Sequence, residues 1–267
     1  VGDGDEVIVP SNTFIATVLA VTYVGASPVF VEPCLGTYTI DSEKIEEKIT
    51  QKTKAIIPVH LYGQPCDMDP IMDIAQKYNL YVVEDCAQAH GALYKGKKVG
   101  NLSADVTVYS FQTVRLPNTI DGGAVSFKDK ALYDKAVLVR DYGIDRPRFR
   151  DDMKEISPLC DIALPGYGAT PSEINSYVGC IQMEVIDELL EKQQQQARKW
   201  DVLLDEKEVK PVSVVAGTKP NYWVYGVLAE NKRAFMEEWR LKGYYVSGVH
   251  LPNTYYSVFG KQPELRG

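Results

Sequence analysis

The feature that most constrains this chain is a run of short, β-branched apolar segments separated by helical patterns. EVIVP at 6–10 precedes a helix over 15–24, PVFVEP at 28–33 precedes a charged helix over 42–49, and AIIPVHL at 55–61 precedes a helix over 70–78. LYVVEDC at 80–86, DVTVYSF at 105–111 and GGAVSF at 122–127 complete the series. Runs with little polar alternation are buried on both faces, so the cadence predicts an α/β fold around a largely parallel sheet with flanking helices. Asp41 or Ser42 is the expected N-cap of the charged helix, with Glu46 in reach of its first turns. A helix over 128–142 follows, then a charged loop at 145–152 and a Pro/Gly-rich stretch at 158–171. Ser172 is placed to cap a long helix reaching about 204. The expected organisation is a large α/β domain over 1–165, a linking segment with the long helix over 166–209, and part of a small C-terminal α+β lobe over 210–267.

Composition narrows the partners. The chain has 267 residues, 45% hydrophobic and 24% charged, enough for a large core and a smaller lobe. A net charge of −7 argues against nucleic acid and acidic membrane surfaces, which require clustered Lys and Arg. No apolar run approaches the roughly 18 residues needed to span a bilayer, and the first residues lack a signal pattern, so a cytoplasmic protein is expected. Cys34, Cys66, Cys86, Cys160 and Cys180 are odd in number and widely spaced, which predicts reduced thiols. The three histidines, His60, His90 and His250, show no metal-ligand spacing, and no metal is expected. The glutamine run at 193–196 reads as a solvated helix face.

Two segments concentrate polar groups at strand ends, where open α/β sheets bind their ligands. The first is Val82-Val83-Glu84-Asp85-Cys86-Ala87-Gln88-Ala89-His90-Gly91; the second runs from Tyr109-Ser110-Phe111 through Arg115 to Asp121-Gly122-Gly123-Ala124. On the residues alone, Asp85 is either a carboxylate capping the next turn or a ligand-binding group. His60 ends another strand on the same edge, either as a substrate contact or as a satisfied buried histidine; His90 and Gly91 finish a turn. Phe14 begins a helix, either in the core or against a ligand, and Ser110 is either a plain strand-end hydroxyl or a ligand donor.

The pattern E-D-x-A-Q-A-x-G, together with the frame S-F-x-x-x-K-x-L-x-x-x-D-G-G-A, resembles the DegT/DnrJ/EryC1/StrS family of sugar aminotransferases, which use pyridoxal 5'-phosphate (PLP). The resemblance implies the PLP-dependent transferase fold of type I and a homodimer whose interface builds the site. It implies that Asp85 faces the pyridine nitrogen, Gln88 the phenolic oxygen, Phe14 the ring face and Ser110 the phosphate. It also implies a nucleotide-linked keto-sugar as substrate, in polysaccharide or deoxy-amino-sugar biosynthesis. The likeness covers nearly all of this chain but only the middle of the family's length. The Gly-Thr turn that binds phosphate upstream in the family is absent, and Lys261–Gly267 read as mid-loop, so a fragment truncated at both ends is expected.

Two segments depart from the family. Arg115 stands in register where the family has its lysine, and no nearby lysine replaces it; Lys95, Lys97 and Lys98 read as surface charge. A guanidinium stays protonated at neutral pH and is a poor nucleophile, so it neither links to the cofactor nor shuttles a proton. In Gly166-Tyr167-Gly168-Ala169-Thr170, Gly168 and Thr170 replace the family's asparagine and frequent arginine, which alters the grip on phosphate; Arg115 is placed to compensate in part. Three readings follow: a lysine-free reaction with noncovalent PLP or its amine form, pyridoxamine 5'-phosphate (PMP), as in relatives with histidine here that dehydrate sugars; a noncatalytic pseudoenzyme or regulatory partner; or transamination by a lysine placed elsewhere.

Overall fold

In the strand Glu6–Pro10 (β1), Ile8 belongs to one hydrophobic cluster and Val7 and Val9 to another. Side chains of a strand alternate with a period of two, so an apolar run such as EVIVP serves two cores at once. The computed structural model describes residues 1–260 apart from 103, 206–208 and 249, so the reading of the last seven residues lies outside the described residues. The following strands are β2 (Ser27–Val31), β3 (Thr53–Ile56), β4 (Tyr81–Asp85), β5 (Leu93–Tyr94), β6 (Lys97–Lys98), β7 (Val106–Ser110) and β8 (Gly123–Phe127).

Six of them form one sheet in the order β2-β1-β3-β4-β7-β8. Every pairing from β2 to β7 is parallel, and β8 returns antiparallel to β7. The C-terminal ends of β1, β3, β4 and β7 therefore share one edge, at which β8 begins. That edge gathers the segments singled out above.

Helices close both faces. α1 (Ile15–Tyr23) buries Val18 and Val21 in the cluster of Val7, Val9 and Phe30. α2 (Met68–Tyr78) buries Met68, Ile71 and Ala75, a helical i, i+3, i+7 stripe, in the cluster of Ile8, Ile56 and Val82. Residues late in the chain complete the first face. Phe259 meets Phe30 edge-on with ring centroids 5.9 Å apart, and the Asn253 amide donates to the carbonyls of Ser11 and Thr13 at 3.3 and 2.9 Å.

The rest comprises α3 (Lys130–Arg140), α4 (Arg146–Phe149), α5 (Glu173–Glu184), α6 (Ile186–Asp205), β9 (Lys210–Pro211), β10 (Thr218–Lys219), β11 (Val227–Leu228) and α7 (Lys232–Leu241). β9 pairs with β11, while β10 adds to the β5–β6 hairpin. Trp200 and Trp239 pack 6.0 Å apart and join α6 to α7. All five cysteines are free thiols.

Three expectations are corrected. The charged helix over 42–49 is two 3-10 turns, Ser42–Lys44 and Glu46–Lys48, closed by i to i+3 bonds; Ile45 and the partly buried Ile49 anchor this charged segment in the core, too little apolar surface for a continuous helix. The capping proposal survives in part, as Asp41 accepts from the Glu43 N–H at 3.2 Å. The strand expected over 55–61 ends at Ile56, ahead of Pro58, which has no N–H for a ladder. The single helix over 172–204 is two, α5 and α6, divided at Val185, whose φ of −118° leaves the helical range. Ser172 does cap α5, accepting from the Asn175 N–H at 3.2 Å.

Ile56 is fully buried on the central strand β3. Ile56→Ala is expected to remove about 2–5 kcal/mol of stability, read as a lowered urea midpoint; a change below about 1 kcal/mol would contradict its place in the core.

Candidate cofactor site

β4 ends in two carboxylates, and the pleat sends them to opposite faces. Asp85 reaches the shared edge. Its Oδ2 accepts from the Thr17 hydroxyl at 2.8 Å and its Oδ1 from the Ala87 N–H at 3.0 Å. Thr17 lies in the first turn of α1, so the helix that seals one core also fixes the plane of this carboxylate. The bond to Ala87 bears out the turn reading of Asp85; it uses one lone pair of Oδ1 and leaves others open to a ligand.

Phe14 precedes α1 and is 51% exposed, so it is not core packing. Its ring lies 5.8 Å from that of His250, which in turn stacks on Tyr62 at 6.1 Å with planes 10° apart. Gln88 is buried between them: its Oε1 accepts from the Tyr62 N–H at 2.6 Å, and its amide nitrogen approaches His250 Nε2 at 3.4 Å. Donation by that amide leaves His250 Nε2 unprotonated, and burial, with the Arg115 charge, lowers the His250 pKa from its ordinary value. Asn221 braces this layer, donating to the carbonyls of Gln88 and His90 at 3.0 Å each. Its other amide end lies 1.8 Å from where a Cβ on Gly63 would stand, and Gly63 has φ +85°, so only glycine fits there.

After β7 the chain enters the loop that carries Arg115. Ser110 Oγ accepts from the Gln112 N–H at 3.3 Å. The loop closes by Phe111 N–H to Gly122 O and Thr119 N–H to Phe111 O, both 2.8 Å. Gly123 follows because a Cβ there would meet the Tyr109 carbonyl oxygen of the paired strand at 2.8 Å. The Arg115 guanidinium lies 4.2 Å over the Trp223 ring, and the Trp223 indole N–H is tied to the Val114 carbonyl at 2.7 Å. Its Nε and Nη1 are buried without a hydrogen-bond partner. Burial pulls the guanidinium below its ordinary pKa, and the Asp85 carboxylate opposes that shift.

The two readings of His60 separate here. The ring is fully buried; Nδ1 accepts from the Cys66 N–H at 3.0 Å and Nε2 donates to Glu84 Oε1 at 2.8 Å, leaving no nitrogen for a substrate. His60, Glu84 and Cys86 hold their ligand-type atoms within 4.8 Å of one another, a grouping that linear spacing conceals. Glu84 Oε1 also accepts from the Gly100 N–H at 2.8 Å. Burial alone would raise the Glu84 carboxyl, yet the donors around it bring it below the ordinary value, while burial pushes the Cys86 thiol well up. These hydrogen bonds account for the cluster as a sealed polar brace beneath Asp85.

Lys95 and Lys98 lie on the β5–β6 hairpin, exposed and paired with Asp69 and Asp187. Gly168 lies under the Tyr142 ring, whose hydroxyl would be 2.0 Å from a Cβ at that position. A cavity of about 660 Å³ shares Asn12, Tyr62 and His250 with the site and continues between Trp200, Tyr225 and Trp239. His250, Trp223 and Asn221 were not singled out from sequence, since no local pattern marks them.

The donor set fits the PLP ring. Asp85 offers the carboxylate that a ring nitrogen needs to stay protonated, Phe14 offers a flat apolar face, and the orphaned N–H groups of Arg115 require an acceptor. Arg115 offers no nucleophilic amine, so a covalent link at this position does not fit.

His90 is buried against Tyr109 and Phe111, with Nε2 unpaired. Burial first, and then the Arg115 charge, lower its pKa to about 4 from 6.5. The unfolded chain therefore binds more protons than the folded one between those values, and stability falls as pH drops through that window. The slope is expected to reach about 1.4 kcal/mol per pH unit at most. Urea midpoints between pH 7 and pH 4 should show it, and His90→Phe should flatten it; an unchanged slope in that variant would contradict the assignment.

Comparison with known proteins identifies the family. The family model described as the DegT/DnrJ/EryC1/StrS aminotransferase family matches residues 1–264. The dTDP-3-amino-3,6-dideoxy-alpha-D-galactopyranose transaminase of Aneurinibacillus thermoaerophilus is 56% identical over 144 residues, 54% of this chain and 39% of that protein. The GDP-perosamine synthase of Caulobacter vibrioides is 39% identical over 230 residues, 85% of this chain and 59% of that protein. This chain thus spans well under two thirds of the length of either relative. Among solved structures, DesV of S. venezuelae, in complex with a ketimine intermediate, superposes with a TM-score of 0.88 at 30% identity, covering 100% of this chain and 69% of that one. The aminotransferase from Psychrobacter cryohalolentis gives a TM-score of 0.87 at 31% identity over 99% of this chain and 72% of that one. With this match across its length, the sheet edge that carries Asp85, Gln88 and Arg115 belongs to a member of the DegT/DnrJ/EryC1/StrS aminotransferase family.

Proposed function

We propose that this chain is part of a sugar aminotransferase-family protein that binds PLP or PMP noncovalently and acts on a nucleotide-linked keto-sugar in polysaccharide or deoxy-amino-sugar biosynthesis. The observation that carries the noncovalent reading is the Arg115 guanidinium, lying over Trp223 with two buried, unpaired N–H groups in the lysine position. The substrate class rests on relatives whose names specify dTDP- and GDP-linked sugars. The cavity beside His250, with its aromatic walls and Lys232, suits a sugar or base ring carrying phosphate.

When bound, PLP supplies an electron sink for a carbanion beside the nitrogen it carries. The protein's part is assigned as follows. Asp85, held by Thr17 and Ala87, keeps a ring nitrogen protonated. Phe14 covers one ring face. Gln88 orients His250, its amide donating to the unprotonated Nε2 of the ring. Ser110 presents a hydroxyl toward phosphate. Arg115 holds an acceptor and moves no proton. The expected partner is a second copy of this chain: Leu132, Tyr133, Ile174, Tyr177, Ile181 and Met183 on α3 and α5 are each 41–72% exposed, an apolar surface of the kind that dimers cover.

The test is to add PLP, record the visible spectrum, reduce with borohydride and map adducts by mass spectrometry. Cofactor retained without a pyridoxyl-lysine in the site is the expected result, whereas a stoichiometric adduct on a site lysine would overturn the noncovalent reading. Retention of neither PLP nor PMP would favour a noncatalytic protein. Arg115→Lys should gain a new visible band and a reducible adduct at residue 115; a folded variant without either would count against the placement of Asp85 and Gln88.

A further inference from the structure

The unpaired groups of Arg115 carry more than the loss of a lysine. A guanidinium has five N–H donors and no acceptor. Here Nε and Nη1 are buried without partners, the guanidinium carbon lies 4.2 Å over the Trp223 ring, and the same indole is anchored to the Val114 carbonyl. Trp223 itself is pinned by Asn221, whose Oδ1 accepts from the Trp223 N–H at 2.8 Å. The fork is therefore held in place before any ligand arrives, and leaving its donors unmet is unfavourable. The charged and titratable groups that act on it are Asp85, His90 and His250. Asp85 makes its hydrogen bonds to Thr17 and Ala87; both histidines are neutral at pH 7.

We propose that Arg115 turns the lysine position into an acceptor-selective subsite, which favours a cofactor bearing oxygen at its 4' carbon and disfavours one bearing an ammonium there. This rests on the cofactor reading of the site. A residue in register with the lysine faces the substituent of the carbon to which that lysine would bond. An oxygen at that position accepts from Nε or Nη1 in a charge-assisted bond. The ammonium of PMP brings a second positive charge and more donors beside a guanidinium that has no lone pair to offer. Lysine and histidine differ from arginine here: a neutral lysine amine or imidazole offers a lone pair, and a guanidinium offers none. The subsite thus holds the aldehyde form of the cofactor more tightly at rest than the amine form, the form with which a keto-sugar condenses.

Three ligands that cannot react with lysine isolate the effect: pyridoxine 5'-phosphate, with a 4' hydroxymethyl; 4'-deoxypyridoxine 5'-phosphate, with a methyl; and PMP, with an ammonium. Affinities are read by calorimetry and by quenching of tryptophan fluorescence. The hydroxymethyl ligand is expected to bind about tenfold more tightly than the methyl ligand, in line with a charged hydrogen bond, and PMP more weakly than the methyl ligand. In Arg115→Met the three should converge to within about threefold. PMP binding as tightly as pyridoxine 5'-phosphate to the unaltered protein would overturn the proposal while leaving the cofactor site intact, and so would an unchanged order in a folded Arg115→Met. Binding of none of the three would defeat the cofactor reading and this proposal with it.

Discussion

Successive side chains of a strand must point to opposite faces, and the end of β4 uses this to separate two carboxylates that would otherwise repel. Glu84 is fully buried among His60, Gly100 and Cys86, its charge met by donors. Asp85 stands on the other face and is met by Thr17 and Ala87. The inner carboxylate cross-links the strand to the segment after β3 and to the turn before β7. The outer one inherits that rigidity, and a carboxylate fixed in plane and partly desolvated is what a cationic ring nitrogen requires. Removing Glu84 would strand the His60 ring and the Gly100 N–H in a sealed interior, where each unmet donor costs about 1–3 kcal/mol.

The opposite side of the site is held less economically. Leaving two buried guanidinium donors unmet costs about 1–3 kcal/mol each, and the cation–π contact with Trp223 returns only about 0.5–2 kcal/mol. Such local imbalance is typical of positions shaped by a ligand rather than by folding. It contrasts with the even accounting around Asp85, Gln88 and Asn221, where each polar group finds a protein partner.

How much of this could be read from sequence follows from chain distance. The strand cadence led to the parallel sheet, because buried strands announce themselves locally, and the motif in the turn after β4 marked Asp85 and Gln88 as candidates through its resemblance to the family. The reading of position 115 rests on the frame from Ser110 to Asp121, which keeps the spacing of the family's motif. His250 was not legible in the sequence, since it meets Gln88 across 162 residues and no periodicity encodes that contact. Trp223 meets Val114 across 109 residues and was missed for the same reason. The failures over 42–49 and at Val185 are failures of boundary and continuity: charge pattern and propensity suggested longer helices than the available apolar surface supports.

The central claim is that the outer carboxylate of β4 faces the ring nitrogen of a bound cofactor. The most direct measurement is the ¹⁵N chemical shift of PLP labelled at its ring nitrogen, bound to the protein at neutral pH. A protonated pyridinium signal is expected in the unaltered protein, and its loss in Asp85→Asn. An unprotonated nitrogen in the unaltered protein, or a protonated one that persists in the variant, would contradict it.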